Sequence, residues 1–352
     1  MLHRTWRISF LAALVSLVWT TSVPAGQQPQ QPTIDSTAGH LSEPSRAAWC
    51  SAAVRLDQHQ PTWAHGRLAQ LAEGNIPLDL IVYDSQCKQV SSAHIKIPGW
   101  TAIFLMNAVP GIEADAIVSG NAVTNPGSTS FLAKIGSGGV VSVVRTESFT
   151  ARGVCEASDH TIWTIGRDRE KEKTHKDYPL VQQYGFEKGF LRGYLSRAES
   201  GLTNTNLLGA PNVYGALLVC GKERISVYLN ETNEYLEIDP STQSLQRWQM
   251  ETRPFLEGQV SGLAVTEKGR VFASLFEDSR TETERKFRRG LFELHLERNS
   301  GLGNWSAVSG TLSSYDPHDA PNVFFKLWGA DGEDLVIRCT NDADMSWVRV
   351  IP

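Results

Sequence analysis

Residues 153–164 read GVCEASDHTIWT, and residues 262–273 repeat their pattern without a gap as GLAVTEKGRVFA. Glycine, apolar and aromatic positions coincide at an offset of 109 residues. A second echo, APNV at residues 210–213, returns at residues 320–323 with an offset of 110. Two echoes at nearly the same offset indicate an internal repeat, which has to be explained by the fold before any motif is interpreted.

A shorter unit recurs inside this offset. Each copy is a stretch of alternating apolar and polar residues, a turn, and a second alternating stretch, as in YLEIDPSTQSLQRW at residues 235–248. Alternation with a period of two predicts β-strands, because successive side chains of a strand point to opposite faces. Asp239-Pro240 supplies the turn. Further copies lie at residues 80–90, 131–144, 181–195 and 291–308, with half a copy at 347–351.

The residues that precede these turns are spaced by 49 to 56 positions, enough for four short strands and their loops. Four-stranded sheets repeated at this period predict an all-β fold, the β-propeller, in which sheets pack face to face around an axis. Five full copies and one half copy predict six blades of four antiparallel strands. The last copy lacks its outer strand, so we expect an N-terminal strand, from residues 52–56 or 67–71, to complete it and close the ring.

The first 25 residues predict a secretory signal peptide, because two arginines precede an apolar run at residues 10–19 and small residues at 23–25. That run is too short to span a bilayer comfortably. We therefore expect an exported protein, periplasmic or extracellular, without a membrane span after cleavage. Residues 26–45, with their Gln-Pro pairs, predict a disordered linker, and residues 46–352 predict one propeller domain.

Charge limits the partners. The chain carries 33 Lys and Arg against 38 Asp and Glu, a net charge of −5. General nucleic-acid-binding proteins present excess positive charge to the phosphate backbone. The acidic balance therefore argues against nucleic acid as a partner.

Five cysteines allow several interpretations. An oxidising compartment permits disulfides, but spacing does not assign their pairs. Cys155, Cys220 and Cys339 lie in apolar strand-like runs, which favours buried and unpaired small side chains. A bridge from Cys50 to Cys339 across the ring closure is the alternative.

Two charged segments, residues 167–177 and 277–289, follow the two copies of the repeated stretch. Mixed charges of both signs are typical of long solvated hairpin loops. The alternative is a lid or a docking edge for a partner on one face of the propeller.

The matched Asn212 and Asn322 are the candidate metal ligands. Inner strands bring equivalent positions of several blades toward the axis, where asparagine oxygens could ligate a hard cation such as Ca²⁺ or Mg²⁺. The competing interpretation is turn chemistry, since an asparagine before a strand often caps its own backbone. Asn121 is a weaker candidate of the same kind.

Other polar and aromatic residues favour structural roles. Trp163 and Phe272 share one position of the repeat, which predicts packing between blades, with a carbohydrate platform as the alternative. Glu293 and His295 lie two residues apart on one predicted strand and could act as an acid–base pair. A strand far from the axis instead predicts a solvated pair.

The copies at residues 80–90, 182–195 and 235–248 resemble the outer hairpins of six-bladed propellers of the NHL, gluconolactonase-like and streptogramin-lyase-like kind. Residues 159–164, DHTIWT, resemble the D-G-x-I-W strand of those families, with His160 in a turn where Gly is common. The resemblance implies a fold and not an activity. Gluconolactonase-like enzymes hold an axial divalent cation with Glu, Asn and Asp, and the lyases use a His-Glu-His set. Neither set is matched residue by residue in this sequence.

The sequence therefore predicts a binding or scaffolding module, without a cofactor, that contacts a protein, peptide or glycan through loops on one face. A metal-assisted lyase or lactonase with Ca²⁺ or Mg²⁺ at the axial mouth is the alternative. The sequence has no nucleophile elbow, zinc-protease helix, P-loop or dinucleotide-binding motif, so no catalytic residue is assigned.

Overall fold

The computed structural model describes residues 48–51, 62–72, 79–86, 88–113, 115–125, 127–203, 215–255, 258–280, 285–308, 313–315, 324–340 and 345–350. All of them belong to the compact unit Ser36–Pro352. Within these ranges the chain is almost entirely β-strand, with one short helix.

The strands follow one another along the chain as short antiparallel segments. Those of the first half are β1 (Ala48–Ser51), β2 (Thr62–Ala64), β3 (Arg67–Ala72), β4 (Asp79–Tyr83), β5 (Gln89–His94), β6 (Trp100–Pro110), β7 (Ala116–Thr124), β8 (Ser128–Gly136), β9 (Gly139–Glu147), β10 (Phe149–Glu156), β11 (Ile162–Asp168), β12 (Pro179–Gly185) and β13 (Gly189–Ser196). Those of the second half are β14 (Ala216–Cys220), β15 (Ile225–Leu229), β16 (Glu234–Ile238), β17 (Leu245–Met250), β18 (Gln259–Val265), β19 (Val271–Arg280), β20 (Arg285–Glu297), β21 (Leu302–Ala307), β22 (Ser313–Tyr315), β23 (Phe324–Asp331), β24 (Asp334–Thr340) and β25 (Met345–Val350). The helix α1 (Arg169–Lys173) lies between β11 and β12.

The described strands form six four-stranded antiparallel meanders. Five follow the chain as β2–β5, β6–β9, β10–β13, β14–β17 and β18–β21, and we call these the first to fifth meanders. The sixth joins β23, β24 and β25 to β1. The fourth and fifth also share a short parallel pairing between β17 and β21. This topology confirms the predicted all-β propeller, while the blade number of the complete chain stays a prediction.

The N-terminal strand β1 completes the last meander by pairing antiparallel with β25. Closure of the ring by an N-terminal strand is thus confirmed, but the segment predicted at residues 67–71 is wrong. That segment is β3, which a two-residue turn at His65 and Gly66 joins to β2. Such a short hairpin connection favours pairing with the local neighbour. The other predicted segment, residues 52–56, lies outside the described residues.

The first strand of each meander takes part in a closed ring. β2 packs against β6, β6 against β10, β10 against β14, β14 against β18, β18 against β23, and β23 returns to β2. Apolar side chains fill the interfaces between neighbouring meanders. Trp163 and Leu180 of the third, for example, cluster with Ile225 and Leu236 of the fourth. The core is therefore divided among these interfaces, and each meander depends on its neighbours for burial.

The repeated stretches are the first two strands of the third and fifth meanders, which explains an offset of two repeat units. Trp163 in β11 and Phe272 in β19 are both fully buried, which confirms their predicted packing role. A β-bulge interrupts β10 at Arg152 and β18 at Ser261.

A glycine follows each of these bulges because neighbouring atoms leave no room for a Cβ. A Cβ on Gly262 would lie 2.1 Å from the carbonyl oxygen of Leu327 in β23. The matching Gly153 would place a Cβ 2.8 Å from the side chain of Ile165. Any side chain at these positions would force the strands apart, so the repeated glycine reflects packing.

Cys155 and Cys220 form a disulfide between β10 and β14, with their Cα atoms 5.6 Å apart. The interpretation of these two as unpaired buried thiols is therefore wrong. A buried free cysteine and a disulfide-bonded cysteine occur in the same alternating apolar pattern of a strand. The disulfide can therefore be recognised only when the neighbouring meanders are placed side by side. Side chains at Cys50, Cys87 and Cys339 lie outside the described residues.

The two charged segments occupy the same place in the third and fifth meanders, between the second and third strands, but fold differently. The second segment lengthens the β19–β20 hairpin, as predicted. The first joins the antiparallel pair β11 and β12, as expected of a hairpin connection, but it contains the helix α1. Asp168 caps this helix by accepting hydrogen bonds from the main-chain N–H groups of Glu170 and Lys171, both at 3.1 Å. No helix of the described chain has the length and apolar character needed to cross a membrane.

The meanders define two ends of the propeller, because consecutive antiparallel strands reverse direction at each connection. We call the end that carries the turn between first and second strands of each meander the turn end. The opposite end, which carries α1 and the extended β19–β20 hairpin, is the insertion end. The first turns of neighbouring meanders contact each other, as when Ser158 donates a hydrogen bond to the carbonyl of Lys222 at 3.0 Å.

Candidate functional site

The turn end gathers ionisable side chains from three neighbouring meanders around Glu156, the last residue of β10. The Glu156 side chain is only 2% exposed. Its Oε2 accepts a hydrogen bond from the main-chain N–H of Ile112, in the first turn of the second meander, at 2.6 Å. A buried carboxylate with such a partner links the two meanders, because leaving it unpaired would be costly.

His160 lies between two carboxylates. Its Nε2 is 3.2 Å from Oε1 of Glu113, and its Nδ1 is 3.4 Å from Oε1 of Glu156. Lys134 approaches the other oxygen of Glu113 at 3.2 Å. An imidazole that carries both N–H groups can donate to two acceptors, so the His160 ring can bridge the carboxylates of Glu113 and Glu156.

His65 lies in the first turn of the first meander and brings that meander into the group as well. Burial lowers the pKa of His65, the negative charge of Glu156 opposes that shift, and the positive charge of Arg67 adds to it. The His65 ring also hydrogen-bonds the main-chain carbonyl of Glu156. The pKa of His65 therefore lies below that of a free imidazole.

Sequence reasoning treated Asp159-His160 as turn composition and missed these contacts. The turn itself is correct, since the N–H of His160 donates to the carbonyl of Ala157 at 2.9 Å and Asp159 accepts from Thr161. A usable signal was present, because His160 stands where related turns carry Gly and has a φ of +63°. A histidine in that backbone region is uncommon and points to a specific role for its side chain.

A cleft lies on the other side of the same turn, between the third and fourth meanders. Its cavity has a volume of about 370 Å³. Charged, polar and small or apolar residues of three turns line it: Ala157, Ser158, Asp159, Gly221, Lys222, Glu223, Arg224, Ile225, Asp239, Pro240 and Ser241. No aromatic side chain is among these lining residues.

One wall of the cleft is fixed by an ion pair. Arg224 Nη1 lies 2.7 Å from Oδ2 of Asp239. The other oxygen of Asp239 accepts hydrogen bonds from the hydroxyl of Ser241 at 2.6 Å and from main-chain N–H groups of Ser241 and Thr242. The Ser241 hydroxyl, followed by the Thr242 amide, lowers the pKa of Asp239 to about 2. Asp239 therefore stays ionised across the whole physiological range.

Two other charges of the cleft are not used within the protein. Lys222 and Glu223 are exposed neighbours in the β14–β15 turn, and within the described part of the chain their side chains have neither an ion pair nor a hydrogen bond. Together they present one positive and one negative group at the cavity. Such an edge can meet charges of both signs on a partner.

The predicted metal ligands Asn212 and Asn322 lie outside the described residues. Asn121 is in β7, where its amide oxygen accepts a hydrogen bond from Ser130 at 2.8 Å and its NH₂ group faces Met106 Sδ at 3.4 Å. In the described part of the chain, no group of three or more His, Cys, Asp or Glu side chains could hold a metal ion.

The candidate pair Glu293 and His295 lies in β20, as predicted, but the carboxylate has another partner. Arg270 donates from Nε and Nη2 to the two oxygens of Glu293, both at 2.8 Å. That hydrogen-bonded guanidinium lowers the pKa of Glu293. A carboxylate held in this bidentate pair is suited to structure rather than to proton transfer.

No protein-family model and no curated protein matches this sequence. Solved structures similar to the chain include U3-55K, with 8% identity and a TM-score of 0.49 over 87% of this chain and 100% of that one. Luciferin-regenerating enzyme has 11% identity and a TM-score of 0.43, covering 84% and 91%. The PQQ-bound aldose sugar dehydrogenase of Streptomyces coelicolor has 12% identity and a TM-score of 0.39, covering 85% and 98%. Their activities are not transferred to this chain, and its own strand pairing identifies it as a β-propeller protein.

Proposed function

We propose that this protein is a binding module that holds a segment of a protein or peptide in the cleft at its turn end. The observation that supports this most directly is a cavity of about 370 Å³ between two meanders, lined by the unpaired charges of Lys222 and Glu223. A peptide supplies charges of both signs together with main-chain donors and acceptors. The lack of aromatic lining residues favours a peptide over a glycan that would stack on rings.

The cleft is preorganised, which lowers the entropy lost on binding. The disulfide joins Cys155, two residues before Ala157 in the lining, to Cys220, which directly precedes Gly221. The two walls are thereby covalently connected at their base. The Arg224–Asp239 pair fixes a further turn on the fourth meander.

We infer from residues 1–25 that the protein is exported to the periplasm or beyond the cell. A disulfide between neighbouring meanders supports this, because such bonds persist in oxidising compartments. The closer affinity to NHL, gluconolactonase-like or streptogramin-lyase-like propellers rests on the hairpin motifs alone and stays a prediction.

The metal-dependent alternative, with Ca²⁺ or Mg²⁺ near Asn212 and Asn322, also stays a prediction. Metal analysis of the purified protein together with thermal melts in the presence and absence of EDTA tests it. A stoichiometric metal whose removal lowers the melting temperature would favour a lyase or lactonase. A melting temperature that EDTA leaves unchanged would favour the binding module.

The binding proposal is tested by a charge swap that preserves the net charge. The double variant Lys222→Glu with Glu223→Lys reverses the charges of the cleft, and affinity capture from the organism's own secreted and envelope fractions compares it with the wild type. The matched control is Glu187→Lys with Lys188→Glu, an exposed pair in the β12–β13 turn at the same end. We expect a protein retained by the wild type and the control but lost by the cleft swap. Equal retention by all three would contradict the proposal.

A further inference from the structure

Three arginines meet at the insertion end of the third meander. Arg152 is the extra residue of the β10 bulge, between the paired positions Ala151 and Gly153. Arg167 is on the adjacent strand β11, opposite Thr150, and Arg169 opens the helix α1. A bulge redirects the side chain of the residue it inserts, and here that residue belongs to a strand of the inner ring.

The backbone register brings Arg152 near the strand and helix that carry Arg167 and Arg169. Burial lowers the pKa of Arg152 first, and the positive charges of Arg167 and Arg169 lower it further. The Nε of Arg152 is fully enclosed and has no hydrogen-bond partner. Within the described ranges, the guanidinium groups of Arg152 and Arg169 form no ion pair with any carboxylate.

The carboxylates nearest in sequence are engaged elsewhere. Asp168 accepts hydrogen bonds from the helix amides and from the hydroxyl of Ser148, at 2.8 Å. Glu172 accepts from the hydroxyl of Tyr178 at 2.6 Å and lies 4.0 Å from Arg167. The local acids therefore leave the charge of Arg152 uncompensated.

We propose that Arg152, Arg167 and Arg169 form a binding site for an oxyanion, the phosphate or carboxylate group of a small ligand. The planar guanidinium fork matches both groups and can bind them through two parallel hydrogen bonds. A bound anion would offset the positive charge of Arg152 and reduce the repulsion that Arg167 and Arg169 exert on it. This site lies at the end opposite the cleft, so it is independent of the peptide-binding proposal.

Isothermal titration calorimetry of the purified protein with inorganic phosphate and with malonate tests the site, at an ionic strength kept constant with NaCl. We expect saturable binding of at least one anion with a stoichiometry of one, together with a rise in melting temperature. Binding of phosphate alone or of malonate alone supports the site and identifies the ligand group that it prefers.

Variants separate this site from general surface binding. Arg152→Gln and Arg169→Gln should each weaken binding about tenfold or more, a change of about 1.4 kcal/mol. Arg192→Gln, an exposed arginine on β13 of the same meander, should leave it unchanged. Arg169 is also exposed, so its variant keeps the test valid if Arg152→Gln fails to fold. No saturable binding at millimolar anion, or binding that the variants do not weaken, would overturn the proposal.

Discussion

Strand β10 carries two charged side chains, Arg152 and Glu156, whose surroundings differ in kind. Glu156, at the turn end, is buried and has the amide of Ile112 and the ring of His160 as partners. Arg152, at the bulge in the middle of the strand, is half-buried, has an Nε without a partner and is repelled by two other arginines. The paired charge of Glu156 joins two meanders. The unpaired charge of Arg152 costs stability, and such a charge is expected where a bound ligand supplies the missing partner.

The largest effect should come from the covalent link at the turn end. Replacing both cysteines, as Cys155→Ala with Cys220→Ala, should lower the free energy of unfolding by about 2–4 kcal/mol, because the bond restricts the unfolded chain. Alanine already occupies the position equivalent to Cys155 in the fifth meander, Ala264, so packing changes little. Urea unfolding with and without a reductant measures this. A reductant should destabilise the wild type and leave the variant unchanged; equal responses would contradict the link.

The next largest effect on stability concerns the paired carboxylate of Glu156. Glu156→Ala should cost about 1.5–3 kcal/mol, the range for a hydrogen bond to a charged group, since it removes the acceptor of the Ile112 N–H. Glu113→Ala is the matched control, because Glu113 contacts the same His160 but its side chain is 57% exposed. Its cost should be at most about 1 kcal/mol. Similar losses for the two variants, measured by urea unfolding, would show that Glu156 does not join the meanders.

Arg152→Met should have a small effect of the opposite sign. Methionine keeps the apolar stem and removes a charge that faces only other cations, so we expect a gain of about 0.5 kcal/mol in anion-free buffer. Thermal melts check this, and saturating phosphate should then raise the melting temperature of the wild type more than that of the variant. A clear loss of stability in anion-free buffer would mean that Arg152 is already compensated.

The propeller was predictable because its determinants are local. Alternation, turn residues and a period near 50 residues repeat along the chain, and Gly153 and Gly262 occupy equivalent crowded positions of the repeat. The closing strand was harder to identify, since β1 pairs with β25 across nearly the whole chain and each candidate segment alternates equally well. Local pairing of β3 with β2 excludes one of the two candidates, residues 67–71.

The candidate sites were largely hidden from the sequence. The second and third meanders supply Glu113, Glu156 and His160, and the fourth supplies Lys222 of the cleft. Their proximity therefore depends on blade packing rather than on spacing in the sequence. The disulfide from Cys155 to Cys220 has the same origin. Only the departure from Gly at His160 gave a local signal, since side chains other than glycine rarely adopt that backbone conformation.

The smallest expected effect is the pH dependence of the turn end. Burial lowers the pKa of His65, against the opposing charge of Glu156 and with the help of Arg67. Its folded pKa therefore lies below the value near 6.5 of a free imidazole, so its contribution to stability is present above about pH 6.5 and is lost as the pH falls through the lower folded value.

Between pH 7.5 and 5.5 the wild type should lose more stability than His65→Asn, because asparagine does not titrate and tolerates the φ of +50° at this position. His175→Asn, an exposed histidine at the insertion end with a φ of +53°, provides the control and should keep the slope of the wild type. If His65→Asn shows the same dependence of stability on pH as the wild type, protonation of His65 does not affect the stability of the turn end.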